Sequence, residues 1–388
     1  MRHPVRFLAV LMVAVLVTPA ILTAQSATAT EADERQAFFD EIQAPNWLGT
    51  DIDHTPIKRQ RGGSCWSFST VAFLESEVLR TNEDVVAALK EAREDLDLSE
   101  YYVVYWAYVE KAHEYARRKG ENARFTDGGL SHDVTWLVEK YGIVPEADFA
   151  VVEDYSAMRT DLNAVLKAHE ESGDWTEDVV VAEIRGVLDR HLAPPPETIT
   201  VAGQVMTPIE YATEYLALDP AAYWEITSYT DVPFYGRGEL DVPDNWWDYD
   251  GYYNLPLDDY MQTINHALDA GYPVVIDTDW GDKGASWNGA GIAVIHPDQL
   301  DGEAIDQESR QLDFVEGRTT DDHLVLAVDH RVVDGVDWYL IKNSHGTSSG
   351  RRGYVWIRGD WMAMRVLAYM VHPDALDPMV VDQFGGDR

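Results

Sequence analysis

Cys65 is the only cysteine in the 388-residue chain, and it lies in Gly62-Gly63-Ser64-Cys65-Trp66-Ser67-Phe68. One thiol cannot close an internal disulfide. It can serve as a reactive nucleophile, a buried small hydrophobe or half of an intermolecular bridge. The flanking residues favour the nucleophile. Glycines admit close approach of a substrate, and Trp66, Phe68, Val71, Ala72 and Leu74 follow at helical spacing. Cys65 is therefore expected at a helix N-terminus, where the macrodipole favours a thiolate.

A thiolate nucleophile needs a base, a group that orients the base and a donor for the oxyanion. His323 opens the apolar run Leu324 to Val328, and Asn343 closes the run Trp338 to Lys342. Asp334-Gly335 between them is a hairpin signal. The hairpin carries Asn343 back towards His323. A plain two-residue turn would set residue 346 opposite His323, so a slip or bulge is expected in the register.

Ser64-Cys65-Trp66-Ser67-Phe68, His323 and Asn343-Ser344 together resemble the papain superfamily of cysteine peptidases, and more closely its bleomycin hydrolase and aminopeptidase C branch. Further segments carry the resemblance in order from about residue 50 to 378. They include Asp127-Gly128-Gly129, Trp136 to Pro145, Pro194-Pro195-Pro196-Glu197-Thr198 and Thr207-Pro208-Ile209-Glu210-Tyr211. Gly271-Tyr272-Pro273-Val274-Val275, Asp279-Trp280-Gly281, Arg310 to Phe314, Gly353-Tyr354-Val355-Trp356 and Asp360-Trp361 complete it.

The resemblance implies Cys65 as nucleophile, His323 as general base and acid, and Asn343 as the orienting group. It implies Gln60 as oxyanion donor and Gly128 and Gly129 as a strip that pairs with substrate backbone. It also implies peptide substrates, no cofactor, no metal and assembly into a hexameric ring. A C-terminal arm lies in the cleft of this branch and restricts it to aminopeptidase action; Ala375-Leu376-Asp377-Pro378-Met379 matches that arm, followed by a longer tail to Arg388. Departures from the pattern are also visible. Gln60 precedes Cys65 by five residues, one fewer than the pattern. Position 345 is His instead of Trp, so a more hydrated Asn343–His323 pair is expected. Gly62 stands where secreted papain-like enzymes carry a disulfide cysteine.

These residues must be positioned by a fold. An apolar content of 46% with 11% aromatics predicts a folded core. Residues 1–29 read as a signal peptide: a basic start through Arg6, an apolar stretch from Phe7 to Leu22 and small residues at Ala27-Thr28-Ala29. The expected location is secreted or periplasmic, with no membrane contact after cleavage. Residues 30–378 form the peptidase domain, with an insertion at about 155–245, and 379–388 form a tail. Helices are expected at Val71 to Arg80, Asp84 to Asp95, Ser99 to Arg118 and Ser131 to Tyr141. The insertion is expected to hold two more, Val179 to His191 and Pro208 to Leu218. Strands are expected at Val274 to Thr278, Leu324 to Val328, Trp338 to Lys342 and Tyr354 to Ile357. Helices first and strands later predict an α+β, two-lobed fold with a cleft between the lobes. The tract 241–251 is aromatic and acidic without periodicity.

The formal net charge is −38, and 22 of the 30 basic residues are arginine. Such a surface repels nucleic acid and anionic membranes, and it matches proteins adapted to high salt. No zinc motif, paired-cysteine motif or phosphate-binding loop is present. Alternatives to the exported aminopeptidase are a papain-like endopeptidase and a catalytically decayed binding protein on the same fold.

Overall fold

The computed structural model describes residues 37–149, 151–281, 284–286, 289–296, 299–300 and 304–384. The expected signal segment and the last four residues of the tail lie outside them. Residues 37–41 are helical, and residues from Ala44 onward form a separate compact unit, described below.

Helix α1, Cys65–Thr81, begins at the expected nucleophile. Its residues are buried continuously from Cys65 to Val78, so it is a central helix with apolar contact all round and not a surface helix with one stripe. Around it stand α2 (Glu83–Ala92), α3 (Glu100–Arg117) and α4 (Ser131–Tyr141). Ser99 caps α3 as expected, its hydroxyl accepting from the Tyr102 amide at 3.3 Å.

The insertion holds more helix than its sequence periodicity suggests. Alongside α6 (Glu177–Leu192) runs an unexpected 18-residue helix, α5 (Tyr155–Ser172). It is capped by Asp154 and stopped by Gly173 in the left-handed region. The expected helix from Pro208 is a single turn, Pro208–Glu210, closed by a Thr207–Glu210 capping box, that widens into a π-turn over Tyr211–Tyr215.

Two short strands, β1 (Ile199–Val201) and β2 (Gln204–Met206), pair alone. Beyond them are β3 (Trp224–Thr227), β4 (Arg237–Gly238), β5 (Tyr252–Asn254) and β6 (Val274–Thr278). Then follow β7 (Ala285–Ser286), β8 (Ile292–Ala293), β9 (His323–Val333), β10 (Val336–Lys342), β11 (Tyr354–Arg358) and β12 (Val366–Val371). These ten form one sheet in the order β4-β5-β3-β12-β6-β9-β10-β11-β8-β7. Most pairings are antiparallel; β3–β5 and β8–β11 are parallel.

The two faces of this sheet differ. Val274, Ile276, Trp224, Ile226, Val325 and Ala327 enter an apolar core shared with α7 (Leu257–Asp269). By strand alternation Val275, Asp277, Glu225, Leu324 and Leu326 face the other way, the side on which α1 packs against β9. The C-terminal segment joins the apolar core. Ala375, Leu376 and Val381 are buried in it, and the Phe384 ring meets Tyr253 and Trp224 edge-on at 5.0 and 5.8 Å.

The hairpin of β9 and β10 turns at Asp334 and Gly335, both with positive φ. The register predicted from that turn holds from Val333–Val336 to Asp329–Leu340 and then shifts, so that Ile341 faces Ala327 and Val328 is left over. This is the expected bulge.

Candidate active site

Three structural devices set the Cys65 loop. Arg61 donates to the carbonyls of Val152 and Glu153, and its amide donates to the Tyr101 hydroxyl at 3.1 Å. Gly62 has φ of +67°, and a Cβ there would lie 2.1 Å from the Tyr155 ring, so only glycine fits. Asp127 accepts from the Gly63 amide at 3.0 Å, its carbonyl accepts from Trp66 Nε1 at 2.9 Å, and Arg159 pairs with its carboxylate. Tyr155 and Arg159 belong to α5, so the helix that sequence reading missed braces the nucleophile loop.

The base side is anchored separately. Arg310, fully buried in α8 (Gln307–Val315), donates to the carbonyls of Ser228, Ala363 and Leu367. Asp313 of the same helix pairs with Arg365 at 2.5 Å. Thr319 donates to the Met364 carbonyl at 3.0 Å, and the Thr320 amide to Asp279 at 3.1 Å. This fixes the segment that delivers His323.

His323 Nε2 lies 2.9 Å from Asn343 Oδ1. Amide oxygen accepts, so Nε2 carries the proton and Nδ1 is left as the basic nitrogen. His323 and Asn343 are 5% and 2% exposed, which differs from the more hydrated pair expected from His at position 345. Two rings cover them. His345 stacks on His323 at 4.8 Å, and Trp280 lies over it at 4.7 Å. A second imidazole thus stands where the pattern has an indole. His330 points elsewhere, between Asp269 at 2.9 Å and Asp337 at 3.1 Å.

Cys65 lies against the start of β9, with the Leu324 and Trp66 amides on its sulfur. Burial pushes the thiol up to about 12, against those amides, and Asp321 and Asp244 push it further in the same direction. Burial also takes the His323 imidazole down to about 3; the bond to Asn343 opposes this and His345 adds to it. The sequence pointed to a thiolate held by the helix dipole. A helix N-terminus supplies roughly 0.3–1 kcal/mol to an anion, and up to about 2 when partly buried. Desolvation of a buried charge costs several kcal/mol. Desolvation therefore outweighs the dipole, and burial favours the neutral thiol and the neutral imidazole.

Gln60 sits beside this pair, tied to Ser344 twice: its amide N–H donates to the Ser344 carbonyl at 2.8 Å, and its Oε1 accepts from the Ser344 hydroxyl at 2.5 Å. Its Nε2 donates to the Gly62 carbonyl at 2.9 Å, which engages one of its two N–H groups. Gly128 and Gly129 follow Asp127, whose carboxylate accepts from the Gly63 amide. The Gly128 carbonyl accepts from Lys111, and the Asp244 carboxylate packs on its Cα. Gly129 packs on Trp66 and Asp133.

Sequence reading missed four neighbours of the site: Asp244, Asp277, Trp280 and Asp321. Asp277 carried a visible signal, an acid inside the apolar strand Val274-Val275-Ile276-Asp277-Thr278. Among the described residues no group of three His, Cys, Asp or Glu converges as a metal site, and no helix is long and apolar enough to cross a membrane.

Residues 199–386 match the model of the Peptidase C1-like family. That span holds His323 and Asn343. Aminopeptidase C of Lactococcus lactis subsp. cremoris is 22% identical over 379 residues, covering 84% of this chain and 82% of the relative. Aminopeptidase W of Lactobacillus delbrueckii subsp. lactis is 23% identical, covering 85% and 83%. The crystal structure of PepW from Lactobacillus rhamnosis HN001 superposes with a TM-score of 0.71 at 18% identity, over 96% of this chain and 92% of that one. The family model, the relatives and the α+β two-lobed fold converge: the chain is a cysteine-type peptidase of papain-like fold, related to the aminopeptidases C of the bleomycin hydrolase branch.

Proposed function

We propose that this chain is an exported aminopeptidase that hydrolyses peptide bonds through Cys65, His323 and Asn343. The observation that carries the reading is the buried Nε2···Oδ1 contact of 2.9 Å between His323 and Asn343, which leaves Nδ1 as the basic nitrogen. Burial disfavours each charge alone. A proton moving from the Cys65 sulfur to His323 Nδ1 creates both charges together, and their attraction offsets much of the desolvation. The thiolate attacks the scissile carbonyl. The oxyanion is received by the Cys65 amide, which has no intrahelical acceptor, and by the remaining N–H of Gln60. His323 then protonates the leaving amine, and water attacks the acyl-enzyme with His323 as base.

Aminopeptidase action agrees with the names of the relatives. The signal segment supports export, and the acid excess supports function in high salt. Digestion of paired peptides with free and N-acetylated termini, read by mass, tests the reading. Stepwise release of N-terminal residues from the free peptide alone is expected. Loss of Cys65 must abolish it.

Endopeptidase action is the second reading, and one observation favours it. Ala375, Leu376, Val381 and Phe384 pack in or against the apolar core, on the sheet face away from Asp277, and Met379 is exposed, so this segment is held away from the face that carries Asp277. Internal cuts in the N-acetylated peptide would establish it.

A further inference from the structure

A cluster of carboxyl groups beside Cys65 has no use in the mechanism above. Asp277 is 4% exposed on β6, and its carboxyl group finds no donor from any other residue, its one partner being the Asp321 carboxyl. It points to the α1 side of the sheet, next to its cross-strand neighbour Leu324, whose amide lies on the Cys65 sulfur. The Asp321 carboxyl faces Asp277, and one of its oxygens has no other partner. The Asp244 amide lies against Asp321, while the Asp244 carboxylate covers Gly128. Both Asp244 and Asp321 act electrostatically on the thiol.

Nearby cations are committed elsewhere. His132 is held by Glu225 at 2.6 Å. Lys111 donates to the carbonyls of Thr126 and Gly128, and it reaches Asp244 only through its field. The leading influences on Asp277 are burial and other acids, all of which disfavour its charge. A buried acid whose only partner is another acid is costly and persists where function holds it. The set does not converge as a metal site among the described residues.

Space for an occupant lies on the Asp321 side of the group, the one of the three aspartates that lines it. A cavity of about 570 Å³ borders Asp321, walled by Leu240, Val242 and Tyr229. The Tyr229 hydroxyl has no partner either. Leu240 to Pro243 line one side of it, at the start of the tract that runs to residue 250. Asn245 holds that tract through the Leu240 and Tyr249 carbonyls, and Trp247 Nε1 donates to Asp133 at 2.8 Å. The tract is a fixed wall.

We infer that Asp244, Asp277 and Asp321 form the pocket that receives the free α-ammonium group of a peptide substrate, and that the 240–250 wall stops the chain from extending beyond it. An ammonium carries three N–H donors and one positive charge, which suits a cluster of acceptor oxygens that Lys111 and His132 reach only through their fields. The specificity element is then internal to the chain and independent of its C-terminus. This inference rests on the aminopeptidase reading and adds the residues that enforce it.

The test uses the full mature chain and one aminoacyl fluorogenic amide, supplied free and N-acetylated. Asp321→Asn, Asp277→Asn and Asp244→Asn are compared with the parent, with iodoacetamide labelling of Cys65 as the check on the nucleophile. In at least one variant that retains labelling, kcat/KM for the free amine should fall about ten- to a hundredfold, mainly through KM. Turnover of the acetylated amide should hold or rise. An unchanged free-to-acetylated ratio in every labelled variant overturns the inference, as does equal loss on both substrates. Removing residues 385–388 should leave the ratio intact; its collapse would assign the anchor to the tail instead. If the parent enzyme itself cuts both amides equally, the aminopeptidase reading fails, a result distinct from failure of the pocket.

Discussion

Asn343 meets His323 across 2.9 Å although the β9–β10 turn alone would set residue 346 opposite the histidine. The bulge at Val328 moves the partner strand by one residue, and the Asn343 side chain covers what remains. His323→Ala should lower kcat/KM by about three decades or more, as coupled catalytic units do, and Cys65→Ala should cost at least as much. Asn343→Ala should cost less, about one to two decades, because it orients and transfers no proton. His330→Ala should leave kcat/KM near the parent value, given its distant partners Asp269 and Asp337. Equal damage from His330→Ala and His323→Ala would reassign the base.

His345 forms part of the lid on the catalytic pair. Burial and the charge of His345 both lower the His323 pKa. His345→Ala weakens both causes, so the pKa should rise from about 3 towards the ordinary histidine range. NMR titration of His323, or movement of the acidic limb of the kcat/KM profile to higher pH, would show it. A titration that stays in place would mean that Trp280 alone keeps the pair dry.

The carboxyl pocket should leave a mark on stability. Burial, with the charge of Asp244 next, raises Asp321 to about 7. A raised acid contributes stability that is fully present below its unfolded pKa, about 3.9. That contribution is lost as pH climbs through the folded value. Asp321→Asn should therefore raise Tm relative to the parent at pH 8 and show little of that gain at pH 4. Denaturation scans at the two pH values decide it; a gain confined to pH 4 would contradict the sign.

Salt should stabilise the folded chain. With a net charge of −38, self-repulsion among surface carboxylates is screened over about 10 Å at 0.1 M and about 3 Å at 1 M. Tm and activity are expected to climb from low to molar salt. A flat or falling Tm would refute salt adaptation without touching the catalytic assignment. Light scattering over the same series would show whether the expected ring forms.

Four of the twelve strands among the described residues are legible, β6, β9, β10 and β11, because their apolar runs are short and bounded by turn residues; β3 and β12, which pair inside the sheet, are not. Val274–Thr278 was read residue for residue, as was helix Ser131–Tyr141. Helix α5 was missed because only five of its residues are buried and its outward face is polar, which dilutes the period. The aromatic tract at 241–251 has no periodicity and forms no helix or strand, and nothing local sets its position. Its contacts to Asp133, Gly128 and Asp321 are long-range, and no local pattern encodes them. Cys65, His323 and Asn343 stood out by residue type and family order. Asp244 and Asp321 did not, because in so acidic a chain two more aspartates carry no contrast.

Cys65 is the chain's single sulfhydryl and is buried. Any alkylating reagent therefore reports on one atom at the base of the cleft, with no background from other thiols. Its reaction rate reports both how far that atom is exposed and how much of it is thiolate. Protein engineers seldom obtain such a reporter without removing native cysteines; here, salt, substrate analogues and variants of the 240–250 wall can each be scored by one stopwatch reading on unmodified protein.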